Sequence, residues 1–221
     1  MTTKQRQLDL VLETGLVAVI RASRGDRLVE VAEALSAGGV KALEVTFTVP
    51  GAIDVIAQVA RAMKGTALVG AGTVLDPETA RAALLAGAEF IVSPCLNVDV
   101  IRMCRRYDKL VMPGALTPTE VLAAWEAGAD VVKVFPSDSV GPAHLKALHG
   151  PLPHVRLMPT GGVTLENVGA FIRAGACALG VGGSLVKESL VESGDMEGLS
   201  ALARKFVDAV KQARNQENVQ H

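Results

Sequence analysis

Residues 67–94 read "ALVGAGTVLDPETARAALLAGAEFIVSP", and the reading of this stretch decides the fold. It opens on "ALVGAGTV" (67–74), a nearly continuous apolar run. A strand buried on both faces has that pattern, whereas a half-exposed strand alternates apolar with polar residues. Asp76-Pro77 then marks a helix start. Aspartate is a good N-cap, and proline fits the first helical position because the N–H it lacks would be unpaired there anyway. "DPETARAALLAGA" (76–88) carries helical apolar spacing and ends on a glycine, the residue that most readily closes a helix. "EFIVSP" (89–94) is the next apolar run. Strand, helix and strand in this succession make a parallel βαβ unit.

The unit recurs along the chain. Further strand-like runs are "VAVIRA" (17–22), "ALEVTFT" (42–48), "LVMPGA" (110–115), "DVVKVFP" (130–136), "VRLMPTGG" (155–162) and "CALGVGGSLV" (177–186), which makes eight in all. Four of the stretches between them, "DRLVEVAEALSAGG", "DPETARAALLAGA", "TPTEVLAAWEAGA" and "TLENVGAFIRAGA", have helical spacing and end on "AGG" or "AGA". Thr117-Pro118, with Glu120 three residues after the threonine, predicts a capping box. Eight strand–helix units predict a (β/α)₈ barrel, one domain over residues 1–221. An extra N-terminal helix, "KQRQLDLVLETG", would close its floor. An open doubly wound sheet is the rival arrangement, but no G-x-G-x-x-G follows the first strand.

Composition narrows the function. The chain has 22 basic and 23 acidic residues, a net charge of -1, so nothing in its charge suits a nucleic acid. No apolar run approaches the roughly 20 residues of a membrane span. The start "MTTKQRQLDL" lacks the apolar core of a signal peptide. Cys95, Cys104 and Cys177 have no C-x-x-C spacing and read as small core residues of a reduced, cytoplasmic protein. The four histidines lack ligand spacing, so no metal or cofactor is expected. The end, "RNQENVQH", reads as a frayed polar tail.

In a barrel of this class the active site lies at the C-terminal ends of the strands. Polar residues expected there are Arg21, Glu44, Thr73, Lys133, Thr160 and Ser184, with Pro94 ending the fourth strand. Lys133 stands in the apolar run "DVVKVFP", where an ammonium is costly to bury. Glu44 lies on the second strand and Lys133 on the sixth. Alternate strands fill the same interior layers, so the two can face one central space. A buried ion pair would explain them structurally, yet such pairs add little stability. A desolvated lysine beside a carboxylate is suited to Schiff-base chemistry instead. The glycine-rich ends of the last two strands, Thr160-Gly161-Gly162 and Gly182-Gly183-Ser184, let backbone N–H groups approach an anion such as phosphate.

"ALEVTFT", "GAGTV", "VVKVFPSDSVGP", "PTGGV" and "GVGGSLV" resemble, in order, the bacterial 2-keto-3-deoxy-6-phosphogluconate (KDPG) aldolases, many of which also cleave 4-hydroxy-2-oxoglutarate (KHG). The resemblance implies a metal-independent class I aldolase, a (β/α)₈ barrel, a homotrimer and a small 2-oxo acid substrate. It makes Lys133 the Schiff-base lysine and Glu44 the general acid/base. Thr73 would contact the pyruvate carboxylate, with Arg21 and Pro94 in the same pocket. Thr160, Gly161, Gly162, Gly183 and Ser184 would hold the distal phosphate. One position departs from the family pattern. Many members carry arginine two residues after the threonine of "EVT", where this chain has Thr48. Two other readings of the residues stay open: a phosphate-binding barrel isomerase or synthase, and a non-catalytic barrel that binds a carboxylate metabolite.

Overall fold

A computed structural model describes residues 2–23 and 25–218. Helix α1 (Thr3–Thr14) leads into β1 (Leu16–Ile20), α2 (Leu28–Ala37), β2 (Ala42–Thr46), α3 (Ala52–Ala62) and β3 (Leu68–Gly72). Next come α4 (Pro77–Leu85), β4 (Phe90–Val92), α5 (Val98–Arg106), β5 (Leu110–Met112), β6 (Gly114–Ala115) and α6 (Pro118–Glu126). The chain continues through β7 (Val132–Val134), α7 (Gly141–His149), β8 (Leu157–Pro159), α8 (Val168–Arg173), β9 (Leu179–Val181), α9 (Glu188–Ser193) and α10 (Met196–Asn218).

Helix boundaries follow local chemistry. Asp76 accepts from the Thr79 N–H at 2.6 Å, with Pro77 opening α4. Thr117 and Glu120 form the predicted capping box, the Glu120 carboxylate accepting from the Thr117 N–H at 2.8 Å. Gly39, Gly87, Gly128 and Gly175, the glycines of the "AGG" and "AGA" endings, have φ of 99°, 109°, 100° and 97°. Side chains with a Cβ rarely adopt that left-handed backbone, so these glycines stop their helices. Thr117→Ala is expected to cost about 1 kcal/mol, the usual worth of an N-cap side chain. An unchanged urea midpoint at an unchanged slope would make the box idle.

The strands are parallel and curl into an α/β barrel. β5, β4, β3, β2, β1 and β9 form a six-stranded sheet in that order, and β6, β7 and β8 form a second sheet. Isolated bridges, Leu157 to Ala176 and Thr160 to Gly180, join β8 to the β9 region. The run "LVMPGA", read above as one strand, is divided at Pro113 into β5 and β6. Proline has no N–H to give, so pairing is interrupted there, although its carbonyl still accepts from the Lys133 N–H at 2.9 Å. Another departure lies at the C-terminus. The polar end read as frayed is helical through Asn218 in α10, while residues 219–221 lie outside the described residues.

Every strand is buried along its whole length, which explains the continuous apolar runs. Successive residues face opposite sides of the sheet. Leu16, Ala18 and Ile20 of β1 accordingly pack in the large cluster shared with the helices. Val17 instead joins a smaller one with Ala42, Leu68, Phe90, Leu110, Val131 and Met158, the interior of the curl. Leu8 and Val11 of α1 belong to that same interior cluster. Above it, toward the strand C-termini, the interior turns polar. Of the cysteines, Cys104 is buried and Cys177 half-buried, but Cys95 is exposed in the β4–α5 connection rather than part of the core. Among the described residues no helix is long and apolar enough to cross a membrane.

Candidate active site

Glu44 lies mid-strand in β2 and Lys133 mid-strand in β7. Both are buried, at 1% and 5% exposure. Each stands two residues beyond an interior apolar residue, Ala42 and Val131, so strand alternation turns both inward. The Lys133 Nζ sits 4.8 Å from the centroid of the Phe135 ring. Neither carboxylate oxygen of Glu44 has a hydrogen-bond partner. Burial raises the Glu44 pKa above its ordinary value, while the charges of Lys133 and then Arg21 pull it down. Lys133 therefore acts on Glu44 through its field, without a hydrogen bond between them. A pair kept only for structure would be expected to satisfy its buried oxygens.

A cavity of about 1010 Å³ opens at the C-terminal ends of the strands. Arg21, Thr160, Gly161, Gly162, Gly183 and Ser184 line it, together with Thr48 and Phe135. Glu44, Lys133, Thr73 and Pro94 are not in its wall. Lys133 is joined to the wall through Phe135. Thr73, half-buried at the end of β3, holds a left-handed φ of 59°, unusual for a threonine. Pro94 follows β4, and its carbonyl occupies the space that a side chain at Gly114 would need.

The polar atoms at the mouth are arranged differently from the simple cradle that the glycines suggest. The Ser184 hydroxyl donates to the Val163 carbonyl, so its proton is already committed. The Thr160 hydroxyl is buried without a partner and fills the space above Gly180. Gly162 has φ of 67°, and a Cβ there would lie 2.7 Å from that of Asp138. This glycine is thus required by the backbone and by Asp138, whatever the cavity holds. At Gly183 nothing lies within 4 Å of where a Cβ would sit. Thr48, in the place of the family's arginine, bonds its hydroxyl to that of Thr46 at 2.6 Å, and Thr46 donates to the Ile20 carbonyl at 3.4 Å. Arg21 is then the one cation lining the cavity among the described residues, and its side chain is exposed. Asp138 and Glu188 also line the cavity and were not singled out from the sequence, while Phe135, expected only as an apolar neighbour of the amine, is part of the wall. Phe135 was within reach, since it lies two residues after Lys133 on the same strand face.

The family profile for KDPG and KHG aldolase matches residues 9–202. The chain belongs to this family. That makes it an aldolase, a carbon–carbon lyase. It is 31% identical over 210 residues to the 2-dehydro-3-deoxy-phosphogluconate aldolase of Haemophilus influenzae, covering 95% of this chain and 99% of that one. To the KHG/KDPG aldolase of Escherichia coli K12 it is 36% identical over 204 residues, 91% and 95% of the two chains. A KDPG aldolase from Legionella pneumophila, solved with pyruvate captured as a covalent carbinolamine, superposes with a TM-score of 0.82 at 26% identity, covering 90% of this chain and 97% of that one.

Proposed function

We propose that this aldolase cleaves 2-keto-3-deoxy-6-phosphogluconate to pyruvate and glyceraldehyde 3-phosphate, and KHG to pyruvate and glyoxylate, through a Schiff base on Lys133. The observation that carries this is a buried lysine facing a buried, unbonded carboxylate beneath an open cavity. In the mechanism, the Lys133 amine adds to the C2 ketone, forming a C–N bond as the carbonyl electrons move to oxygen. That oxygen takes one proton from the attacking nitrogen and one from Glu44 and leaves as water, giving an iminium. Glu44 then takes the proton from the C4 hydroxyl. The C3–C4 bond breaks, its electron pair flows into the iminium to give an enamine, and the aldehyde departs. Glu44 returns the proton to C3, and water hydrolyses the iminium, freeing pyruvate and the amine.

In this reading Thr73 and Arg21 orient the substrate carboxylate, Arg21 supplying the positive charge absent at Thr48, and Pro94 closes the pocket. The backbone around Thr160, Gly161, Gly162 and Gly183 receives the distal phosphate, with the Ser184 hydroxyl turning from the Val163 carbonyl to donate to it. The eight strand segments, β5 and β6 counted as one, are taken to close as a (β/α)₈ barrel, with α1 as an additional helix and residues 1–221 as one domain. A cytoplasmic homotrimer completes the proposal, supported by the family resemblance and by exposed apolar side chains such as Leu75 and Leu85.

Covalent trapping tests the chemistry. Pyruvate with borohydride should inactivate the enzyme and add a reduced pyruvyl mass at Lys133; a label on another residue, or none, would exclude the Schiff base. Gly183 tests the phosphate site better than Gly162, because a side chain there meets only the cavity. Gly183→Val should lower kcat/KM for the phosphorylated sugar acid more than for the phosphate-free KHG. Losing one charge-assisted hydrogen bond costs about 1.5–3 kcal/mol, roughly a 10- to 150-fold change in that ratio. A constant ratio in a folded variant would place the phosphate elsewhere.

A further inference from the structure

Two interior positions of β3, Gly70 and Gly72, carry no side chain, and their empty places are filled from neighbouring strands. The ring of Phe90 takes the space at Gly70. At Gly72 the occupant is Glu44. A Cβ built there would overlap a carboxylate oxygen and lie 2.5 Å from Cδ and 2.6 Å from Cγ. The backbone itself does not require glycine, since Gly72 is absent from the positive-φ residues. Gly72 pairs with Thr46 in the β2–β3 register, and its carbonyl accepts from the Phe47 N–H at 2.8 Å, roles that any residue can fill. No hydrogen bond holds the Glu44 carboxylate in place. Its position is therefore set by shape.

We infer that Gly72 is a positioning residue for the reaction: its missing side chain is the slot that holds the Glu44 carboxylate in the dry interior. The inference rests on Glu44 being the general acid/base. A methyl group in the slot pushes the carboxylate out of its place. A shorter acid lessens the clash, because Glu44→Asp withdraws the carboxylate by one methylene and leaves only the carbon at the Cγ position, 2.6 Å away, to give way. The charged groups that act on Glu44 are Lys133 from β7 and Arg21 from the end of β1, and both oppose the effect of burial. Moving the carboxylate toward the wet mouth relieves that burial, so the acid limb of the kcat–pH profile should move to lower pH.

The test is a double-mutant cycle of Gly72→Ala and Glu44→Asp, with kcat, KM and the pH profile measured for each protein. Gly72→Ala alone should lower kcat by roughly 10²-fold, the scale of a lost acid/base. KM should change little, and the acid limb should shift. In the Glu44→Asp background the same methyl should cost at least about threefold less than in the parent, since the coupling is direct. Equal penalties in the two backgrounds, an unmoved acid limb, or failure of both alanine variants to fold would overturn the inference. Near-parental turnover of Glu44→Gln would instead remove the acid/base reading on which it depends. Near-parental Gly72→Ala beside an inactive Glu44→Gln would remove the inference alone.

Discussion

Lys133→Met is expected to abolish cleavage, with kcat/KM lower by about 10³-fold or more, as for the loss of any covalent nucleophile. Methionine keeps an unbranched chain of similar length against the Phe135 ring but offers no amine to the C2 ketone. The variant should fold, because it replaces the amine of a side chain that is 5% exposed with an apolar group. Pyruvate and borohydride should then add no mass. Measured on protein with unaltered circular dichroism, turnover within tenfold of the parent would mean that the cavity binds and polarises its substrate without forming an iminium. That result would leave the aldolase activity in place and exclude Lys133 as its nucleophile.

Glu44→Gln should lower kcat by about 10²-fold or more, as expected when a positioned proton carrier is lost. Because burial raises the Glu44 pKa, the basic form needed for C4 deprotonation is lost at a higher pH than for an ordinary glutamate. The acid limb of the kcat profile should accordingly lie above the usual carboxylate range in the parent and vanish in the variant. Stability should move the other way. A carboxylate whose folded pKa is raised contributes fully below its unfolded pKa, and that contribution is lost as pH rises through the folded one. Above the folded pKa the parent therefore bears the cost of a buried charge whose oxygens have no partners. Glu44→Gln should raise Tm there, and the gain should shrink as pH falls toward the unfolded value. A lower Tm with activity retained would make Glu44 a structural residue.

Much of the architecture was legible because its signals are local. Asp76-Pro77, Thr117-Pro118 and the glycines after the helices each act within a few residues, and each behaves as its chemistry dictates. Pro113 carried the strand break openly, but an apolar run with a proline near its end still reads as one strand. Lys133 and Glu44 could be singled out as candidates because charge within an apolar run is expensive wherever the run goes. What stayed hidden depends on register between strands. Nothing near Gly72 in the sequence says that Glu44 will occupy its place, nor does Gly180 announce Thr160. Gly162 and Gly183 look equivalent on paper, yet one answers to Asp138 and the other to open space. Ser184 shows the same limit, since its hydroxyl is directed by Val163, 21 residues earlier.

Glu44 and Lys133 sit on different hydrogen-bonded ladders, the first in the six-stranded sheet and the second in the three-stranded one. On one side the ladders meet where the chain passes Pro113, and on the other at two single bridges. The separation between Glu44 and Lys133 is thus held across two seams rather than within one ladder. It is a mechanical property of two seams. Amide exchange should divide along those seams, with the β6–β8 segment opening at a lower free energy than the six-strand body. An adduct that ties Lys133 to a ligand gripped from β1 and β3 would fasten the halves together. Slower exchange in β7 would then report the occupancy of the active site from within the backbone.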